Sequence, residues 1–209
     1  MMNLSTNGKI EKVFATYIYH CVVDNPLELN KSIDKEISNI KFSKKKEWSN
    51  THFLSTDFSL EDEPDIIKKH NLNLVDEEIK KHVKAYSTHV GSHYSLLPYT
   101  RTSWFSLFKK GNYAHIHRHG FSDVSGVYYY RTNGSDGDIF FETPVTETGC
   151  SKFWMDHSLT FNIAPEKGLI LLFPGWLSHG VRTNTTDSQR ISLSFNINYK
   201  IHETNTRTN

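Results

Sequence analysis

The 209-residue sequence has only two cysteines, Cys21 and Cys150, and no Cys-x-x-Cys pair. Disulfide frameworks and thiolate zinc sites need several cysteines at short, regular spacings. The sequence therefore does not support either kind of site. We expect the protein to reside in a reducing compartment, the cytoplasm.

Long hydrophobic runs and an excess of charge of one sign are also lacking. The longest apolar segments are far too short to span a bilayer, and residues 1–13 lack the apolar core of a signal peptide. The 24 lysines and arginines nearly balance the 23 aspartates and glutamates, which gives a net charge of +1. We therefore expect no membrane association, and the charge does not indicate a nucleic-acid partner.

The length suits a single domain, and the character of the sequence changes near residue 99. Residues 1–99 are predicted to form a mainly helical segment, with a first strand within residues 14–23. One helix is predicted to begin at Asn25-Pro26, a suitable cap and first-turn proline. A second apolar stripe runs from Leu74 to Tyr86. Residues 47–64 are polar and predict a surface loop.

Residues 100–200 contain short β-rich runs that are separated by turn residues. The predicted strands cover residues 103–108, 124–130, 138–141, 159–163, 169–173 and 191–199. Many short strands at regular spacing are typical of a sandwich or a barrel. We expect the helical segment to pack on this β core as one unit, and residues 201–209 to form a polar tail.

Histidines alternate with other residues at His115, His117 and His119. Because side chains on a strand repeat every second residue, such a pattern directs the imidazoles to one face. His179 follows later, after the apolar run at 169–173. Two imidazoles on one face and a distant third can hold a catalytic first-row metal with coordination positions left open. The alternative is a polar strand face that is exposed to solvent.

Arg190 lies eleven residues beyond His179 and begins an alternating strand. Arg190, Ser192, Ser194 and Asn196 share one face of this strand, opposite its apolar residues. If the polar face lines the interior of a barrel, Arg190 and Ser192 offer a guanidinium fork and a hydroxyl to one carboxylate. The sequence leaves open that this face is solvated.

Three segments carry a resemblance: Gly111 to Tyr130, in which five residues separate a His-x-His from a Ser-Gly; Gly168 through Phe173-Pro174 to His179-x-Val181; and Arg190-Ile191-Ser192-x-Ser194-Phe195-Asn196. In their order and spacing they resemble a family of iron(II)/2-oxoglutarate oxygenases that is common in marine phages and bacteria. The pattern Trp48-Ser49-Asn50 fits the same family.

The resemblance implies a double-stranded β-helix, a jelly-roll or cupin-like core, that binds Fe(II) and 2-oxoglutarate. It implies His117 as the first metal ligand and His179 as the distal one. Arg190, helped by Ser192, would hold the far carboxylate of the cosubstrate. The implied reaction converts 2-oxoglutarate to succinate and carbon dioxide and hydroxylates a substrate that the sequence does not identify. A further hydrogen bond to the cosubstrate would come from one of Tyr128, Tyr129 and Tyr130, with Tyr128 and Tyr130 as the first candidates.

His119 occupies the position where the wider superfamily has the carboxylate of its two-histidine, one-carboxylate triad. In the first interpretation His119 is a third metal ligand. In the second His119 does not ligate, and water completes the coordination of a two-histidine iron. In a third interpretation a carboxylate from elsewhere ligates, and Asp123 is the nearest. His115, Asp123 and Asn196 are the candidates for residues that support the ligands.

Two other functions fit the same residues. Three histidines on a β-barrel could hold iron or zinc in an enzyme that does not use 2-oxoglutarate. The chain could also be a non-catalytic β-barrel binding protein or a virion-associated protein, because one fold hosts many functions. An exposed edge strand could pair two copies into a homodimer.

Overall fold

The computed structural model describes residues 15–46, 50–56, 58, 60, 64–91, 96–145 and 159–201. The cysteine at 150, the termini at 1–14 and 202–209, and Trp48-Ser49 lie outside the described residues. The helices are α1 Pro26–Ile37, α2 Ile66–Lys69 and α3 Asn73–His89. The strands are β1 Tyr19–Val22, β2 Ser43–Lys44, β3 Phe53–Leu54, β4 Leu96–Phe108, β5 Ala114–His117, β6 Val124–Arg131, β7 Ile139–Glu142, β8 Thr160–Ile163, β9 Leu169–Pro174, β10 His179–Val181 and β11 Arg190–Ile201.

The strands form two antiparallel sheets. The large sheet has the order β1-β9-β6-β11-β4-β3-β2, and the small sheet has the order β5-β10-β7-β8. One apolar cluster joins residues of both sheets, with Val127 and Leu171 from the large sheet and Phe141 from the small one. This arrangement is the double-stranded β-helix that the resemblance implied, so that prediction is confirmed.

The helices cover the outer face of the large sheet. Tyr128 and Leu172, which alternate with the inward residues of β6 and β9, belong to the same cluster as Ile33 of α1 and Ile79 of α3. Period-two alternation therefore divides the large sheet into a helix-facing side and a side that faces the small sheet. None of the helices in the described part of the chain is both long and apolar enough to cross a membrane.

The predicted start of α1 is correct, and the predicted apolar stripe of α3 is partly correct. The Asn25 side chain accepts a hydrogen bond from the backbone N–H of Glu28 at 3.3 Å, and Pro26 occupies the first turn. In α3 the buried stripe includes Val75, whereas Leu74 is 47% exposed. Val75 lies four residues before Ile79, so it and not its neighbour continues the stripe.

Phe53 and Leu54, within the predicted surface loop, belong to the large sheet, so this part of the prediction is wrong. Phe53 and Leu54 form β3, which pairs with β4. His52 and Leu54 are buried. A two-residue strand has no repeat that a sequence pattern can reveal, and its position is determined by the partner strand. β1 is also a strand of the large sheet, so the first 99 residues supply strands to the core as well as helices. The homodimer and the cytoplasmic location stay predictions.

Gly126 provides a test of the packing between the large sheet and its helix-side core. It lies opposite Phe195 in the β6–β11 register. A Cβ at Gly126 would overlap the Phe195 ring and lie 2.8 Å from the Leu171 carbonyl oxygen. We expect Gly126→Ala to lower the free energy of unfolding by about 1–3 kcal/mol, because overpacking forces the buried ring to move. Urea denaturation measures the loss. The control is Gly120→Ala, where an added Cβ meets nothing within 4 Å; equal stability of the two variants would contradict the packing argument.

Candidate metal centre

Three histidines converge at the edge of the small sheet. His117, at the end of β5, pairs directly with His179, at the start of β10. Their ring centroids are 4.3 Å apart, and the ring of His119 lies 5.1 Å from each of them. One nitrogen from each ring lies within 4.8 Å of the others, and no carboxylate of the described residues joins this group. With small side-chain adjustments one ion can bind all three nitrogens.

Backbone carbonyl groups determine which nitrogen His117 and His179 present. The Nδ1 of His117 lies 2.7 Å from the carbonyl oxygen of His115, and the Nδ1 of His179 lies 2.9 Å from that of Leu177. A carbonyl oxygen can only accept, so Nδ1 donates in both rings. The lone pair that can bind a metal is therefore on Nε2 in both histidines.

Asn196 has the same effect on His119. Its Oδ1 lies 2.6 Å from the Nδ1 of His119 and also accepts a hydrogen bond from the Ser125 hydroxyl at 2.8 Å. Its Nδ2 donates to the Thr102 hydroxyl at 2.8 Å, which fixes the orientation of the amide. The Nδ1 of His119 is then the donor, and its Nε2 is presented as a ligand like those of the other two rings.

Burial keeps all three histidines neutral. Burial, followed by the neighbouring His119, lowers the pKa of His117 to about 4. Burial also lowers the pKa of His119, and it lowers the pKa of His179 to well below its usual range, with His117 and His119 as further causes. Neutral imidazole is the form that binds metals, so these residues do not have to lose protons before they ligate.

Arg190 is a buried cation on the inner side of the large sheet. It is 1% exposed, and one terminal amino group donates to the carbonyl oxygen of Gly137 at 2.6 Å. None of the described residues accepts a hydrogen bond from its Nε–H. Burial lowers the pKa of Arg190, whereas Asp136 and Asp138 act in the opposite direction. The Asp136 carboxylate, however, accepts hydrogen bonds from Thr132 and Asn133. A buried cation with an unsatisfied donor is costly unless an anionic ligand binds it.

His52, which no sequence pattern identified, stacks on the phenyl ring that contacts the Arg190 guanidinium. The Arg190 guanidinium lies 4.0 Å from the centroid of the Phe108 ring, and the His52 ring stacks on the same phenyl ring at 4.6 Å with an interplanar angle of 7°. Burial, followed by the charge of Arg190, lowers the pKa of His52 to about 4. His52 therefore contributes a neutral ring to the stack. The sequence signal was weak, because His52 lies in a polar stretch that resembles a loop.

Two spaces meet at the histidines. We define the inner cavity, about 60 Å³, by its polar residues Arg190, Ser192 and Ser194. We define the outer cleft, about 390 Å³, by the lining residues Phe58, Arg101, Thr102, Arg118, Phe121 and Asn196. His117, His119 and Trp104 line both spaces. The alternating polar face of β11 thus lines the interior and is not solvated.

The structure corrects the choice of Tyr128 and Tyr130 as cosubstrate contacts. The Tyr128 hydroxyl donates to Asn30 at 2.8 Å, and the Tyr130 hydroxyl donates to Asp34, both on α1. Tyr129 points the other way and lines the inner cavity, with its ring 5.8 Å from the Arg190 guanidinium. Alternation along β6 explains the difference, since only every second tyrosine faces the small sheet.

His115 and Asp123 lie outside the histidine cluster. His115 is exposed, its ring contacts Tyr113, and only its carbonyl oxygen reaches His117. The Asp123 carboxylate accepts a hydrogen bond from the backbone N–H of Tyr199 at 2.9 Å. The interpretation in which Asp123 completes the metal site is therefore not supported.

One family model and several solved structures are similar to this chain. Residues 102–196 match the family model described as "Putative 2OG-Fe(II) oxygenase". No curated protein matches the sequence significantly. The fold resembles HygX from Streptomyces hygroscopicus, solved with nickel, 2-oxoglutarate and hygromycin B bound, at 12% identity and a TM-score of 0.59 over 87% of this chain and 82% of that chain.

Two further solved structures share the fold. A prolyl-4-hydroxylase from Pseudomonas putida has 14% identity and a TM-score of 0.55 over 87% of this chain and 92% of that chain. SnoK, a non-haem α-ketoglutarate-dependent carbocyclase from nogalamycin biosynthesis, has 10% identity and a TM-score of 0.61 over 90% of this chain and 82% of that chain. The matched residues 102–196 include the three histidines, Arg190 and Asn196. Residues 102–196 are therefore similar to the 2OG-Fe(II) oxygenase family, and the chain shares its fold with these solved structures.

Proposed function

We propose that the chain hydroxylates a substrate with Fe(II) held by His117, His119 and His179, and with 2-oxoglutarate held by Arg190. The observation that carries the proposal is the convergence of three neutral imidazoles, each of which donates through Nδ1 to a fixed oxygen. Bound iron supplies the activation of oxygen that decarboxylates 2-oxoglutarate to succinate and oxidises the substrate. The chain's own residues bind the two groups, orient them and exclude water.

The inner cavity supports the assignment of the cosubstrate. It reaches from the histidines to the Arg190 guanidinium, with the Ser192 hydroxyl on the same face. A dicarboxylate can therefore place one carboxylate near the metal ligands and the other on Arg190, where a buried cation lacks a hydrogen-bond acceptor for its Nε–H. In an enzyme that uses the three histidines without 2-oxoglutarate, Arg190 would have to bind a substrate carboxylate, and a non-catalytic barrel would leave this buried cation without an anionic partner. The match to the family model and the shared fold favour 2-oxoglutarate over both alternatives.

Metal and cosubstrate binding can be tested together. We expect an anaerobic titration of the metal-free protein with Fe(II) and then 2-oxoglutarate to produce a visible metal-to-cosubstrate charge-transfer band. His179→Ala should abolish the band, because it removes one of the three ligands. The matched control is His115→Ala, an exposed histidine two residues before His117, which should leave the band intact. Iron binding without a band would favour the cosubstrate-free enzyme, and the absence of iron binding would contradict the proposal.

The role of the stacked cation can be tested by affinity for 2-oxoglutarate. Arg190→Ala should raise the Kd of the iron-loaded protein for 2-oxoglutarate at least about 30-fold, as expected when one partner of a buried charge pair is removed. His52→Ala should also raise this Kd, to a smaller extent, because Phe108 and the guanidinium lose their support. His52→Phe should restore it, since a second flat ring preserves the stack. Isothermal titration calorimetry gives the constants, and circular dichroism checks folding. A Kd unchanged by Arg190→Ala would exclude the assigned cosubstrate site.

Neutral ligands predict little proton release on metal binding. At pH 6, three histidines with the ordinary pKa of about 6.5 would release about two protons when they ligate. Here the lowered pKa values, about 4 for His117, mean that the folded protein already holds neutral rings. We expect a proton release close to zero for Ni(II) at pH 6. Calorimetric titrations in two buffers with different ionisation enthalpies measure it, and a release of about two protons would show that the rings are solvated in the metal-free protein.

A further inference from the structure

The outer cleft is the space left for a substrate, an assignment that rests on the proposed function. It approaches His117 and His119 from outside, whereas the inner cavity approaches them from the side of Arg190. Its volume of about 390 Å³ falls within the range of small-molecule sites, which is about 300–1,000 Å³. The inner cavity is far smaller and is taken by the cosubstrate. A substrate in the outer cleft would lie beside the metal ligands.

Two arginines line the outer cleft, and the described lining residues include no carboxylate. Arg118, between the two ligands His117 and His119 in sequence, is exposed. Its Nε–H donates to the Ser178 hydroxyl at 2.6 Å. This bond uses one of the five N–H groups of a guanidinium and fixes the plane of the others. Arg101 donates to the carbonyl oxygen of Phe121 at 2.9 Å and so stabilises the loop on the other side of the cleft.

The ligand set increases the positive charge near the cleft. Three neutral histidines leave both charges of Fe(II) in place, and Arg190 adds one more. A 2-oxoglutarate dianion cancels two of these three charges. The usual triad, with its carboxylate, would cancel the third. Here one positive charge remains at the centre, and the exposed guanidinium of Arg118 adds a second positive charge that solvent partly screens.

Aromatic side chains also line the outer cleft. Trp104 lies against His119, with ring centroids 5.7 Å apart, and Phe58 meets Trp104 edge-on at 5.1 Å. Phe121 is 86% exposed at the rim. Large exposed aromatic rings beside a cavity are typical of binding sites, where they pack on flat or apolar ligand surfaces.

We propose that the outer cleft binds a small-molecule substrate that carries an anionic group, a carboxylate, phosphate or sulfate, on an apolar or aromatic body. Arg118 binds the anionic group, and Trp104 and Phe121 pack against the body. The substrate is thereby held with its apolar part near the metal ligands, where a C–H bond is oxidised.

The test uses protein loaded with Mn(II) and 2-oxoglutarate and three probes of similar size: phenyl phosphate, benzyl alcohol and benzylamine. Ligand NMR titrations give the affinities, and broadening of the phenyl protons by Mn(II) reports that the probe lies near the metal. We expect phenyl phosphate to bind at least about 10-fold more tightly than benzyl alcohol. We also expect Mn(II) to broaden the phenyl proton signals of phenyl phosphate. Benzylamine should bind more weakly than either.

Arg118→Gln should lower the affinity for phenyl phosphate at least about 10-fold and leave the affinity for benzyl alcohol unchanged. The matched control is Arg131→Gln, an exposed arginine at the end of β6 whose guanidinium lies 5.5 Å from the Tyr130 ring, away from the cleft. Equal affinities for the three probes, or the same effect from both variants, would overturn the inference. Loading is measured first: failure to bind Mn(II) and 2-oxoglutarate overturns the proposed function and this inference with it, whereas successful loading without anion selectivity overturns the inference alone.

Discussion

The antiparallel register between β5 and β10 places His117 directly opposite His179, and the geometry of the site depends on this pairing. A shift of one residue would turn one imidazole to the other face of the small sheet. Gly180, next to His179, helps to keep the register, because a Cβ there would lie 2.7 Å from the Phe140 ring and 3.1 Å from the Ala114 carbonyl oxygen. The close approach of β5, β10 and β7 therefore requires a residue without a side chain at this position.

The same site combines neutral ligands with a buried cation, and burial affects the two in different ways. Burial disfavours the charged form of the three histidines, so they remain available to a metal. Burial cannot neutralise Arg190 in the same way, since a guanidinium stays protonated in proteins. Phe108 and His52 accommodate the cation by stacking, but they offer no acceptor to its Nε–H. The inner cavity thus has three neutral imidazoles that could hold a metal ion at one end and a buried cation, the proposed cosubstrate site, at the other.

Features with a local cause could be predicted from the sequence. Alternation in 190–197 placed Arg190 and Ser192 on one face of the strand, although it left open whether that face was interior or solvated, and the Asn25-Pro26 cap correctly marked the start of α1. Features that depend on tertiary pairing could not. Which of three consecutive tyrosines faces Arg190 depends on the β6–β11 register, in which Ser192 pairs with Tyr129. His52 enters the core because two residues of β3 pair with β4, and so short a strand has no periodicity of its own.

The hydrogen bond between Asn196 and His119 joins residues 77 positions apart. It orients a neutral ring at the position where the wider superfamily has a carboxylate, and this affects the charge of the site. In a triad with a carboxylate, that group both ligates and reduces the charge of the metal. In the proposed site His119 ligates as a neutral ring, and Asn196 orients that ring without adding negative charge. On this proposal the bound molecules balance the charge, with a dianionic cosubstrate at Arg190 and, by the same electrostatic reasoning, an anionic group near Arg118. Replacement of one ligand thus links the identity of the cosubstrate to that of the substrate through a charge that the chain itself does not cancel.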